Sequence, residues 1–270
     1  MKKIILLLTL LALITVPALA KKGNKIIVAG STTVLPIAQA TAEVFMDDNP
    51  EINISVRGGG SSVGIASVMA GTSDIGSASR HAKTKELATA REKGINIYEN
   101  IIANDGIAVI INPENNIDNL TMEQLKDVFT GKIQNWKEIG GSNRPIVVVS
   151  RDVSSGTYEV FNKLVLKGSR NKTDALMLAS NNTVSTIVSN TPGAIGYVGL
   201  GYITDKVKAL KINNVEPSKK TVQSNEYQIS RTLNMYTKGK PKGLVKQYID
   251  FILSPEGQKI VEEQGFISAK

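Results

Sequence analysis

The chain has 270 residues, 32 of them Lys or Arg against 24 Asp or Glu, with a single His and no Cys. Without a thiol there is no disulfide framework, Cys nucleophile, iron–sulfur cluster or Cys-based zinc site, and one His excludes a His-cluster metal centre or a His relay. A composition 41% hydrophobic and 21% charged is that of a globular protein with one large or two modest cores, which argues against a disordered or fibrous chain.

At the N-terminus Lys2 and Lys3 precede a 13-residue apolar run, Ile4 to Val16, and Ala18-Leu19-Ala20 is a small-residue cleavage pattern. The run is shorter than the roughly 17–25 residues of a membrane span. Residues 1–20 therefore read as a cleaved secretory signal, and the mature protein as soluble and free in a periplasm, with no Cys to carry a lipid anchor. The remaining 30 basic and 24 acidic residues are dispersed, and aromatics make up only 5% of the chain. That pattern argues against nucleic acid as a partner and is compatible with an anionic ligand.

Beyond the signal, β and α patterns alternate. Lys25 to Ala29 predicts a short strand, and Val34 to Asp48 a helix that tolerates Pro36 in its first turn and stops at Asn49-Pro50. Asn53 to Arg57 alternates as a strand, Val63 to Ala70 is helical up to Gly71, Asp74 to Gly76 begins a buried strand, and Thr84 to Lys93 is a charged helix capped by Gly94. Ile95 to Tyr98 and Ile107 to Asn112 read as strands crossing a domain boundary. Leu120 to Phe129 is a helix with a capping box at Thr121 and Gln124. Pro145 to Ser150 predicts a buried strand, Arg151 to Thr157 a polar turn, Tyr158 to Lys167 and Thr183 to Ser189 helices, and Ala194 to Val198 a strand. A strand at Thr232 to Tyr236 and helices at Gly243 to Leu253 and Pro255 to Glu263 complete the chain. Such alternation implies open, mostly parallel sheets with helices on both faces, where ligands sit outside the carboxyl ends of the strands.

Three strand-to-helix loops share one chemistry: Gly30-Ser31-Thr32-Thr33, Gly59-Gly60-Ser61-Ser62 and Ser154-Ser155-Gly156-Thr157. Each offers hydroxyls and backbone N–H groups at a helix start, where unpaired amides and the positive dipole end favour an anion. Any one of them is accounted for as an ordinary helix cap. Three together, the last preceded by Arg151 with its forked donor set, point to an oxyanion held largely by neutral donors. None contains the Lys of a P-loop, which disfavours nucleotides.

These residues resemble the periplasmic phosphate-binding proteins of bacterial phosphate ABC transporters. The resemblance rests on GSTTVLPIA at Gly30 to Ala38, RGGGSSVGI at Arg57 to Ile65, TSDIGSASR at Thr72 to Arg80, NDGIAVIIN at Asn104 to Asn112, SRDVSSGTYEVF at Ser150 to Phe161 and TPGAIGYV at Thr191 to Val198, in that order. It implies an α/β, two-lobed (Venus-flytrap) binding protein with two hinge strands, lobe I being residues 21–102 with 231–270 and lobe II residues 103–230. It also implies inorganic phosphate and the transmembrane subunits of an ABC permease as partners, a monomeric state, no cofactor and no chemistry on the ligand. Carried over by position, Thr32, Thr33 and Ser61 would donate from one lobe, and Arg151, Ser155, Gly156 and Thr157 from the other. Where some members have an Asp that accepts the phosphate proton, this chain has Ser79. A carboxylate acceptor would reject sulfate, which has no proton to give. Asp105 is the candidate for that part, the alternative being a turn Asp that caps Gly106. Arg80 is expected to pair with Asp105 or touch the ligand, or else to be a surface charge.

Two other readings can be weighed. Gly60-Ser61-Ser62-Val63-Gly64 matches the G-x-S-x-G of a hydrolase elbow with Ser62 as nucleophile, but its only base, His81, lies a mere 19 residues on, with no acid between them except Asp74, whereas in that fold the His comes last in chain order. The same scaffold could also hold sulfate, molybdate or tungstate.

Overall fold

A computed structural model describes residues 23–269; the signal segment read at residues 1–20 lies outside the described residues. In the first half, β1 (Lys25–Gly30), β2 (Asn53–Gly58) and β3 (Ile75–Ala78) are parallel, with β1 in the middle. They are linked by α1 (Leu35–Asp48) and α2 (Ser61–Ala70), and α3 (Thr84–Glu92) follows β3. Helix α1 carries Pro36 in its first turn and buries Ile37, Ala38, Thr41, Ala42 and Phe45, the stripe that a 3.6-residue period turns to one side.

The two strands expected at Ile95 to Tyr98 and Ile107 to Asn112 are one. Strand β4 (Ile97–Ile111) runs unbroken for 15 residues, because the intervening residues keep a hydrogen-bonded neighbour throughout. Its first part pairs with a strand from the end of the chain, and its last five residues pair with the second half.

That half contains β5 (Asn119–Leu120) and α4 (Met122–Thr130), the latter opened by the expected Thr121–Gln124 capping box. It continues with β6 (Val147–Arg151), α5 (Gly156–Phe161), β7 (Leu176–Leu178), α6 (Asn181–Asn190) and β8 (Ala194–Gly199). The short β9 (Lys208–Ala209), β10 (Lys211–Ile212) and α7 (Lys219–Gln223) lead to β11 (Ser230–Lys238), and α8 (Gly243–Ile252), α9 (Pro255–Glu263) and β12 (Ile267–Ser268) end the chain. The helix expected over Tyr158 to Lys167 is α only to Phe161; residues 162–166 widen into a π turn.

The main sheet has the order β2-β1-β3-β11-β4-β8-β6-β7. It is less parallel than expected. Strands β1 to β3 and β6 to β8 are parallel sets, but β11 is antiparallel to both β3 and β4, and β4 is antiparallel to β8. The reason is topological: β4 leaves the first parallel set and β11 returns to it, so the two must run in opposite directions.

Apolar residues gather in two main bodies. One joins Ile26, Val28, Ile37, Phe45 and Ile102 to Leu233, Tyr248, Val261 and Phe266. The other joins Ile107 to Ile111, Leu125, Phe129, Trp136, Val149, Phe161 and Tyr197. Trp136 is an interior anchor whose indole N–H donates to the Gly193 carbonyl at 3.0 Å. Phe161 and Tyr197 stack with centroids 3.9 Å apart, which ties α5 to β8. The Tyr197 hydroxyl meets Ser150 Oγ at 2.8 Å and accepts from the Arg151 amide at 3.2 Å. The second core thus holds the end of β6 where the polar loop begins.

Candidate anion-binding site

The starts of α1, α2, α5 and α6 converge where the two bodies meet. Three of them follow the Gly/Ser/Thr loops, and the fourth begins at Asn181 behind its N-cap Ser180. Thr32, Thr33, Ser61, Ser79, Asp105, Arg151, Ser155 and Thr157 are all buried. Glycine is required at position 156: a Cβ there would lie 2.3 Å from Ser61 Oγ and 2.7 Å from Ser79 Oγ. The first turn of α5 therefore sits directly against the hydroxyls of the other lobe.

Hydrogen bonds cross this junction. Thr33 Oγ1 and Thr157 Oγ1 are 3.2 Å apart, and Arg151 Nη2 donates to Thr32 Oγ1 at 3.0 Å. The Ser62 amide donates to the Ser154 carbonyl at 3.1 Å. Arg151 is held by the carbonyls of Leu178 and Ala179 at 3.1 and 2.8 Å, while its buried Nη1 has no partner among the described residues. Burial pushes this guanidinium down to about 10, with the nearby charge of Arg231 acting in the same direction. It remains a cation at neutral pH.

Sequence reasoning missed two residues. Arg231, on β11, donates through Nε and Nη2 to Asp105 Oδ2 at 3.0 and 2.8 Å. It also donates to Thr157 Oγ1 at 2.8 Å, Ser79 Oγ at 3.2 Å and Thr33 Oγ1 at 3.3 Å. Asn181, fully buried, donates through Nδ2 to Thr32 Oγ1 at 3.2 Å and Thr33 Oγ1 at 3.1 Å. Neither sits in a Gly/Ser/Thr loop. The one available signal for Arg231 was a charged residue directly before the strand expected at Thr232 to Tyr236.

Asp105 is at the junction but is engaged. Besides the Arg231 fork on Oδ2, its Oδ1 accepts the Leu200 amide at 2.9 Å. Burial raises its pKa and lowers that of Arg231, and their mutual attraction opposes both shifts. The expectation that Arg80 pairs with Asp105 is corrected, as is the alternative of a surface charge. Arg80 is buried, and its guanidinium forks onto Glu86 with both bonds at 2.8 Å and lies 3.0 Å from Glu159 Oε2. Asp105 cannot reach it because Arg231 stands between neighbouring strands at register Arg231↔Asp105. Ser155 is the N-cap of α5, accepting from the Tyr158 amide at 3.3 Å.

The hydroxyl oxygens share one property. Thr32 Oγ1, Thr33 Oγ1, Thr157 Oγ1 and Ser79 Oγ each accept from an Arg or Asn N–H, and Ser61 Oγ accepts the Ser79 amide at 3.0 Å. An oxygen already accepting keeps its own proton to donate, although Thr33 and Thr157, 3.2 Å apart, and Ser61 and Ser79, 3.4 Å apart, each share one such proton within the pair. With the first-turn amides of α2 and α5 and the orphan Nη1 of Arg151, this is a donor-rich cage suited to an oxyanion. The hydrolase geometry is not assembled: Ser62 Oγ meets Arg80 Nη2 and Glu159, whereas His81 meets Glu99 at 2.9 Å and Thr232 at 3.4 Å.

Fold and site together define a two-lobed binding protein with a basic, hydroxyl-lined junction between the lobes. The PBP superfamily domain matches residues 15–256. The phosphate-binding protein PstS of Bacillus subtilis is 36% identical over 252 residues, covering 92% of this chain and 81% of that one. PstS of Borreliella burgdorferi is 35% identical over the full length of both chains. A Clostridium perfringens protein described as a phosphate ABC transporter substrate-binding protein, solved with bound phosphate, superposes with a TM-score of 0.86 at 38% identity, covering 92% of this chain and all of that one. The chain belongs to the PBP superfamily and, within it, to the PstS family of phosphate-binding proteins.

Proposed function

We propose that the protein binds inorganic phosphate between its lobes and delivers it to the membrane permease of an ABC transporter. Support comes from the family and from one structural observation: the hydroxyls at the junction already accept from cationic or amide N–H groups, so their protons, some of them now shared within the Thr33–Thr157 and Ser61–Ser79 pairs, can turn to an oxyanion. Thr32, Thr33, Ser61, Ser79, Ser155, Gly156 and Thr157 would supply hydroxyl and amide donors, and Arg151 the charge. In this reading Asp105 acts by holding Arg231, and Asn181 by orienting Thr32 and Thr33.

Lobe I is assigned residues 21–102 with 231–270, and lobe II residues 103–230. The chain crosses between them near Ala103 to Ile107 and Ile229 to Arg231. Ligand contacts from both lobes at once would select the closed state. Bound phosphate is released unchanged, so the protein acts as a carrier and not as an enzyme. Export to the periplasm follows from the segment at residues 1–20, and among the described residues no helix is long and apolar enough to cross a membrane.

With the hydroxyls acting as donors, sulfate, which has no proton to give, is disfavoured by the lone pair that Arg231 and the Leu200 amide leave on Asp105; one unmet acceptor is worth about 1–3 kcal/mol, or roughly 5- to 150-fold. Calorimetric titration of the anion-stripped protein with phosphate, arsenate, sulfate and molybdate tests the reading. Tight phosphate and arsenate binding with weaker sulfate is expected; molybdate or sulfate binding above phosphate would reassign the cargo, and no response to any oxyanion would overturn the site.

A further inference from the structure

We infer that Glu159 is a positioning residue for ligand retention: it latches the lobes shut by entering a basic socket on the opposite lobe without touching the ligand itself. Glu159 lies on α5, in lobe II. Its Oε1 is 2.9 Å from Lys83 Nζ and accepts from Ser62 Oγ at 3.3 Å, and its Oε2 is 3.0 Å from Arg80 Nε. All three partners belong to lobe I. The carboxylate is 16% exposed and Arg80 5%, so the pair is shielded from most of the screening that weakens surface ion pairs.

The socket is built within lobe I alone. Arg80 gives its fork to Glu86, donates to the His81 carbonyl at 2.9 Å and to Ser62 Oγ at 3.0 Å. Glu86 in turn accepts the Lys83 amide at 2.7 Å. The guanidinium of Arg80 is therefore fixed before closure; its buried Nε lies 3.0 Å from Glu159 Oε2 without an aligned hydrogen bond among the described residues, and Glu159 completes a four-charge cluster of zero net charge with Arg80, Lys83 and Glu86.

Chain order couples this latch to the cage. Ser62 follows Ser61, Arg80 follows Ser79, and Glu159 comes two residues after Thr157. The same turns that bring the cage hydroxyls together bring the latch together, so one cannot close without the other. Removing one partner of a shielded charge pair between two bodies acts mainly on the rate of separation.

The inference uses the phosphate reading only for its second readout. Distance distributions between spin labels on the two lobes, recorded on anion-free protein, compare wild type with Glu159→Gln and with Lys83→Met. Stopped-flow phosphate kinetics follow. The expected result is a larger open fraction without ligand in both variants, more so for Glu159→Gln. A phosphate off-rate raised about tenfold is expected to accompany it, with the on-rate within about twofold of wild type. Unchanged distance distributions in both variants would overturn the latch whatever the ligand proves to be. Wild-type protein that closes but ignores phosphate would overturn the ligand reading and leave the distance result to decide the latch.

Discussion

The junction holds two buried arginines in opposite circumstances. Arg231 shares its fork with a buried carboxylate, Asp105, so that the pair is neutral and its remaining N–H groups orient Ser79, Thr157 and Thr33. Among the described residues Arg151 has only carbonyls and one hydroxyl as partners, and its buried Nη1 has none. A buried charge without an opposite charge is costly unless something else compensates it. The contrast separates a cation that organises the hydroxyls from one left for an anion.

The largest effect expected from breaking this contrast is on stability. Arg231→Gln strands the Asp105 carboxylate, and losing one partner of a buried pair costs about 3–5 kcal/mol. Denaturant midpoints of the anion-free protein should fall accordingly, and the double variant Asp105→Asn with Arg231→Gln should recover part of the loss.

Arg151→Gln acts the other way. It removes a charge with no carboxylate partner, so the anion-free fold should lose less than with Arg231→Gln, through the hydrogen bonds to Leu178, Ala179 and Thr32 alone, while phosphate affinity, measured calorimetrically, drops by about 2–5 kcal/mol. Equal losses of stability in the two variants would erase the distinction.

A smaller effect tests the distance between the lobes. Gly156→Ala places a methyl against Ser61 Oγ and Ser79 Oγ, and overpacking of this kind costs about 1–3 kcal/mol. Because the clash lies between the two proposed lobes, opening would relieve it, and it should appear as roughly 5- to 150-fold weaker phosphate binding with little change in the denaturation midpoint of the anion-free protein.

The pH dependence should be the mildest readout. Burial holds the Arg151 guanidinium down at about 10, and a bound anion favours its protonated form. Free protein that gives up this proton must regain it on binding, so, once phosphate's own titration near neutral pH is divided out, affinity should fall only as pH rises toward about 10. Titrations in Arg151→Gln should lack this fall.

Much of the candidate site was legible in the sequence, for a local reason. Each Gly/Ser/Thr loop lies between a β-patterned and an α-patterned segment, and a loop leaving a parallel strand for a helix must present its amides and hydroxyls at the sheet's carboxyl edge. Thr32, Ser61, Arg151 and Gly156 were therefore legible as a set. Arg231 and Asn181 were not, because what gives them a role is a neighbour 126 or 149 residues away. The pairing of Asp105 was misjudged for a related reason. Arg80 looked like its partner from sequence, but the register of β11 on β4 puts Arg231 opposite Asp105, and strand pairing across a whole chain is not encoded in local spacing.

The sequence by itself determined the alternation of strands and helices, the placement of hydroxyl-rich loops at helix starts and the supply of one cation beside them, because hydrophobic period, caps and turn residues act over a few neighbours. Only the tertiary structure decided that β4 runs unbroken between the lobes, that Asp105 is spent on Arg231, and that Glu159 closes onto Arg80. Those outcomes depend on which buried charges meet at close range once water is excluded, a condition met only when distant segments are packed together.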